Sequence, residues 1–187
     1  MGDERAPEWP AFSMQGGRRA PSSGRGGRRR KGKEDVVIQL NRIGHVLLRV
    51  ADIERSKAFY TKVLGFEVVE QDPEHGGVFM SLGEHGHTLD LSPVENPETA
   101  APVTPNRVGV HHIAFMVDSE KALKDAYFTL EDQGVEVVRA IDHVSQKSIY
   151  FHDPDGNRLE IYYELPDAPE MFRQGRGDRD EPLVFQR

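Results

Sequence analysis

The same order of apolar and polar positions occurs twice in this chain. IGHVLLRVADIERSKAFYTKVLGFEVVE (43–70) lies over VHHIAFMVDSEKALKDAYFTLEDQGVEVVR (110–139). Each stretch opens with apolar residues in alternation, the period of a half-buried strand, and each strand carries a histidine, His45 or His112. Asp52 and Asp118 follow, each suited to cap a helix. Ile53, Ser56, Tyr60, Val63 and Leu64 then recur at helical spacing in the first copy, and Leu123, Ala126, Tyr127 and Leu130 in the second. Gly65 and Gly134 stand where a helix needs a left-handed residue to end, and the short strands FEVVE and VEVVR follow them.

The later parts of the two copies also match. VFMSLGEHGHTLDL (78–91) aligns without a gap on residues 148–161, with Met80 on Tyr150, Gly86 on Gly156 and Asp90 on Glu160. GEHG and DPDG are turn sequences, so each copy reads β-α-β-β-β. The expected class is α+β with mostly antiparallel pairing, in one domain over 39–165 built from modules 41–92 and 108–165.

Strand parity decides which side chains share a face. His45, Leu47 and Arg49 lie opposite Val46, Leu48 and Val50; His112, Ala114 and Met116 lie opposite Ile113, Phe115 and Val117; Glu160 lies with Arg158 and Tyr162. The apolar faces should pack on the helices, leaving the His and Glu faces to line a shared cavity. A lone strand histidine is more often a satisfied core residue. Two histidines at equivalent repeat positions with a glutamate in phase instead suggest a 2-His-1-carboxylate metal site on His45, His112 and Glu160. His111 falls on the apolar parity and aligns with Gly44, so it is not expected to ligate.

Composition narrows the chemistry. The chain has no cysteine, so disulfides, thiolate ligands and a cysteine nucleophile are excluded, and a cytoplasmic setting is expected. No apolar run approaches the length of a membrane span, and no secretory leader is expected from the N-terminus. Residues 1–33 hold nine basic and three acidic residues, leaving fifteen basic and 28 acidic for the rest, a net of −13. So acidic a remainder argues against nucleic acid as its main ligand. The Gly- and Arg-rich segment is expected to be a disordered basic tail over 1–38, and 166–187, with three prolines, a second tail without chemistry.

IGHVLLRVADIERSKAFYTKVLGF and HHIAFMVD…YFHDPDGNRLEIYYE together resemble the vicinal oxygen chelate superfamily, which includes glyoxalase I, methylmalonyl-CoA epimerase, fosfomycin-resistance proteins and type I extradiol dioxygenases. The resemblance covers about residues 41–165. It implies a cup-shaped, barrel-like mixed sheet with helices outside and a divalent metal at its centre. The segment DHVSQKSIYFHDPDGNRLEIYYE is similar to small single-domain catechol 2,3-dioxygenases, where a histidine precedes the strand and a tyrosine sits ten residues before the ligand glutamate. That implies roles for His143 and Tyr150, the phenol bonding a catecholate oxygen and the imidazole moving a proton. It further implies iron(II), or manganese(II) or another divalent metal, with a catechol-like diol and O₂ as substrates in aromatic-compound breakdown, and a homodimer.

The dioxygenase pattern also has an acid–base histidine near the last strand of the preceding module. By parity His87 should face the helix side, with Asp90 facing the cavity. Asp90 thus becomes a catalytic candidate, and it also stands where glyoxalase- and epimerase-like members place a fourth ligand. Those relatives imply a lyase or isomerase working through an enediolate.

Overall fold

The structure is a computed structural model that describes residues 38–83, 86–175 and 179–187. The basic tail expected over 1–38 lies almost wholly outside the described residues. Both modules form, each as one mixed sheet with a helix. The first has β1 (Val46–Val50), α1 (Ile53–Lys62), β2 (Glu67–Gln71), β3 (Val78–Ser81) and β4 (Leu89–Pro93). The second has β5 (Ile113–Met116), α2 (Glu120–Asp132), β6 (Arg139–Asp142), β7 (Gln146–His152) and β8 (Arg158–Glu164). Strand order is β1-β4-β3-β2 in one sheet and β5-β8-β7-β6 in the other, with β1–β4 and β5–β8 parallel. Neither sheet closes into a barrel. Among the described residues no helix is long and apolar enough to cross a membrane.

Local chemistry explains the boundaries. Asp52 Oδ1 accepts from Arg55 N at 3.0 Å and caps α1. In the second module the cap is Ser119, whose hydroxyl accepts from Ala122 N at 3.1 Å, and not Asp118 one residue earlier. Gly65 adopts φ +77° and Gly134 φ +72°, and beside them Phe66 N donates to Tyr60 O and Val135 N to Leu130 O. Those bonds end both helices at the expected glycines. The expected strand VEVVR forms late, because Val135 is still closing α2 and only from Val138, donating to Tyr150 O, does the chain reach its neighbour.

The gapless alignment of the two hairpins does not survive. Tyr150 pairs with Glu160, but Asp90 pairs with Phe79 and Met80 with Leu89. The first turn is therefore one residue longer, and Phe79, not Met80, is the counterpart of Tyr150.

The apolar faces meet in one core that draws on both modules, with Val50, Tyr60, Met80, Leu89 and Leu91 from the first and Leu123, Leu130, Ile149, Phe151, Leu159 and Ile161 from the second. Phe66 and Phe115 pack edge-on across the junction, with centroids 5.7 Å apart. A polar lock adds direction. Tyr60 Oη donates to Asp153 Oδ2 at 2.8 Å, and Asp155 accepts from Ala51 N, Arg55 Nη2 and Ser56 Oγ at 2.8–2.9 Å. The β7–β8 turn of the second module thereby grips the start of α1 in the first.

The described residues of 166–187 are not a free tail. They form α3 (Ala168–Gln174) and β9 (Glu181–Pro182), which adds to β6 as a fifth strand, Ile141 opposite Pro182 and Asp142 opposite Glu181. Leu183 and Phe185 pack on the core, and the Phe185 ring lies 5.0 Å from that of Tyr127. Apolar residues at 183 and 185, on one side of an extended segment, were the signal behind the prolines.

Candidate functional site

The two modules present matched half-sites. In parallel pairing Asp90 stands opposite Leu47 and Glu160 opposite Ala114, and His45 and His112 each lie two residues before those partners. Both carboxylates are only 2% exposed. Each faces a histidine: His45 Nε2 is 3.8 Å from Asp90 Oδ2, and His112 Nε2 is 2.9 Å from Glu160 Oε2.

The second half-site is the richer one. Glu160 Oε1 accepts from Tyr150 Oη at 3.0 Å and from Gln146 Nε2 at 3.1 Å. Tyr150 Oη lies 3.0 Å from His143 Nε2, and His143 Nδ1 lies 2.7 Å from Asp180 Oδ1. The Arg158 guanidinium sits over the Tyr150 ring, 4.7 Å from its centroid. Burial first, then the charge of Glu160 and its hydrogen bond, push the Tyr150 phenol up to about 12. Tyr150 is therefore a neutral donor at physiological pH.

His111 is not on the apolar side. It is exposed, and its Nδ1 lies 2.8 Å from His112 Nδ1, with Arg158 Nη1 3.5 Å from its Nε2. Both histidines precede β5, where strand parity no longer applies. By occupying His112 Nδ1, His111 leaves Nε2 to face Glu160.

The first half-site holds a residue that parity misplaced. His87 precedes β4, and its Nδ1 lies 2.7 and 2.9 Å from the two oxygens of Asp90. Its ring stacks on that of His45 at 4.5 Å. His45, His87 and Asp90 are the trio among the described residues whose donor atoms all lie within 4.8 Å of one another. His45, His112 and Glu160 do not meet that condition in one chain, and no ion pair or ring contact among the described residues joins the half-sites.

The donor sets fit a divalent metal. Two carboxylates are buried without a lysine or arginine partner among the described residues, Asp90 beside His45 and His87 and Glu160 beside His112, Tyr150 and Gln146. Buried charge of that kind calls for a cation, and nitrogen–oxygen donors suit iron, manganese or zinc.

Comparison with known proteins agrees with this architecture. The model of the Glyoxalase/Bleomycin resistance protein/Dioxygenase superfamily matches residues 42–161. The chain is 31% identical over 137 residues to biphenyl-2,3-diol 1,2-dioxygenase 2 of Rhodococcus globerulus, covering 72% of this chain and 70% of that protein. It is 32% identical over 126 residues to catechol-2,3-dioxygenase of Bacillus subtilis, covering 66% of this chain but only 42% of that protein. At similar identity, 31% over 140 residues, it matches metallothiol transferase FosB of Staphylococcus saprophyticus, covering 71% and 83%. A solved glyoxalase/dioxygenase from Nostoc punctiforme shares the fold, with TM-score 0.58 at 23% identity over 70% of this chain and 98% of that one.

Proposed function

Because the chain belongs to the glyoxalase/bleomycin resistance/dioxygenase superfamily, we propose that it is an extradiol ring-cleaving dioxygenase, acting on a catechol-like diol with O₂. Iron(II), or manganese(II) in its place, is held by His45, His112 and Glu160. The observation that carries this reading is Tyr150, whose hydroxyl lies 3.0 Å from both Glu160 and His143. Its counterpart in the first module is Phe79, so only the second half-site has a phenol and an imidazole beside its carboxylate.

When bound, the metal supplies open coordination positions and the redox chemistry for O₂. The residues do the rest. Tyr150 donates to a diol oxygen and fixes the ring's orientation. His143 moves a proton at that oxygen. The Arg158 guanidinium adds positive charge where negative charge gathers.

The separated half-sites point to a homodimer, in which His45 of one copy faces His112 and Glu160 of the other. The faces carrying the histidines are open: Leu47 is 52% exposed and Met116 62%. Apolar side chains beside an unfinished metal site are what a second copy would cover.

One observation favours a second reading. Asp90, buried against His45 and His87, is placed to add a carboxylate to the centre, which suits a glyoxalase- or epimerase-like lyase or isomerase. Anaerobic reconstitution with iron(II), followed by catechols and air, separates the two. Ring cleavage gives O₂ uptake and a yellow product. No uptake with any diol, together with isomerisation of a hemithioacetal or a 2-methylacyl thioester, selects the second.

A further inference from the structure

Asp180 lies outside both modules, 37 residues beyond His143, yet its carboxylate is 2.7 Å from His143 Nδ1. A carboxylate can only accept, so Nδ1 must carry the proton of this contact. A neutral imidazole has one such proton, which leaves Nε2 with its lone pair toward the Tyr150 hydroxyl, 3.0 Å away, where it can take the one phenol proton when that hydroxyl turns from Glu160 Oε1, the acceptor it otherwise serves at the same distance. In water the opposite tautomer, with the proton on Nε2, is the preferred one, and it would make His143 a donor toward Tyr150. We infer that Asp180 is a positioning residue, which holds His143 in the Nδ1–H form so that its Nε2 works as a proton acceptor.

The surrounding chain is built to make that contact. β9 pairs with β6 so that Glu181 stands opposite Asp142, the residue before His143, and this register delivers Asp180 to the imidazole. The turn that presents His143 is held in a conformation a valine seldom adopts, Val144 at φ +71°. Asp142 Oδ1 fixes it by accepting from Val144 N at 2.9 Å, while Ser145 N donates to His143 O and Leu165 N to Ser145 O. Backbone held this way against its preference, next to a candidate acid–base group, is a mark of a position set by function. Among the described residues, the charged groups facing His143 from its neighbours include Asp180 before β9 and, beyond Tyr150 on β7, Glu160 on β8.

The inference rests on the proposed role of His143, but its test does not need turnover. In full-length ¹⁵N-labelled protein near pH 8, long-range correlation of the imidazole nitrogens, assigned by His143→Gln, reads the tautomer directly. The wild type should show a protonated Nδ1 and a bare Nε2. Asp180→Ala should move the major form to Nε2–H, with the Leu183 amide still protected, because the Leu183 N to Ala140 O bond does not use the Asp180 side chain. Asp180→Asn retains an acceptor oxygen and should keep the wild-type form. With iron(II) and a diol, Asp180→Ala should lower kcat about 10²-fold at little change in KM, and Asn should recover much of it. A wild type already in the Nε2–H form, or an Asp180→Ala protein with an unchanged tautomer, overturns the inference. So does loss of Leu183 protection in Asp180→Ala, which would make the residue a strand anchor. A tautomer shift in a protein that consumes no diol upholds Asp180 while removing the dioxygenase reading.

Discussion

Tyr150→Phe removes one hydroxyl from the centre of the second half-site and turns Tyr150 into the residue its counterpart, Phe79, already is. What it leaves behind sets the size of the effect. Glu160 Oε1 keeps Gln146 Nε2 at 3.1 Å, Oε2 keeps His112 at 2.9 Å, and His143 keeps Asp180. No buried charge is orphaned, so the stability cost is that of one hydrogen bond to a charged group, about 1.5 kcal/mol at the low end of its range. For a domain of this size that is a fall in Tm of roughly 3–6 °C. Metal content should be unchanged, because the ligands of the proposed centre are intact. Turnover should not be. Loss of a donor at a developing oxyanion costs roughly 10²–10³ in kcat, or about 3–4 kcal/mol in the barrier. The assay is O₂ uptake with a catechol at saturating substrate, with metal measured on the same sample. Full metal and wild-type kcat in Tyr150→Phe would refute the argument that this phenol marks the diol site. Loss of metal would mean that its hydroxyl holds Glu160 in place instead.

Three further outcomes follow from the same geometry. If the centre is shared between copies, mixing His45→Ala with Glu160→Ala protein should restore turnover neither variant has alone, because a mixed dimer contains one complete set; absence of recovery in a demonstrably exchanging dimer rules out sharing. Asp155→Ala should cost about 2–4 kcal/mol in denaturant melts, since it strips partners from Ala51 N, Arg55 and the buried Ser56 hydroxyl; a change under about 0.5 kcal/mol, the scale of an ordinary surface substitution, would show that the polar lock contributes nothing. Burial, with the Asp153 charge and hydrogen bond, pushes the Tyr60 phenol well up, so the folded state keeps its proton where the unfolded chain has lost it. That stability is fully present below about pH 10, the ordinary phenol value, and is lost as pH rises further. Melts from pH 8 to 11 should show a steeper alkaline loss in wild type than in Tyr60→Phe; equal slopes would contradict it.

The repeat and its helices were legible because each rests on local signals, alternation, helical spacing and a glycine after each helix, whereas the parallel pairing of β1 with β4 and of β5 with β8 joins strands far apart in sequence and has no such signal. Within the candidate site, the facing of side chains was legible where residues lie inside strands. Glu160 on β8 and Tyr150 on β7 share a face as their spacing requires. It was misread where the same rule was carried past a strand's end. His87 and His111 sit in loops, and their backbone turns them to Asp90 and to His112 rather than to the helices. The one-residue difference between the hairpins was hidden because both end on turn sequences of the same kind. Asp180 could not be found from spacing at all, since it reaches His143 only through the pairing of β9 with β6, a contact of high sequence separation.

In the proposed reaction, one diol and one O₂ react at a metal held by His45, His112 and Glu160. Turnover of a catechol under ¹⁸O₂ by the iron(II)-loaded protein tests it most directly, read by mass spectrometry of the quenched product. Both atoms of one O₂ should enter a ring-opened product, and no such product should form with His45→Ala, His112→Ala or Glu160→Ala. A product with no label from O₂, or undiminished turnover in those three variants, would contradict it.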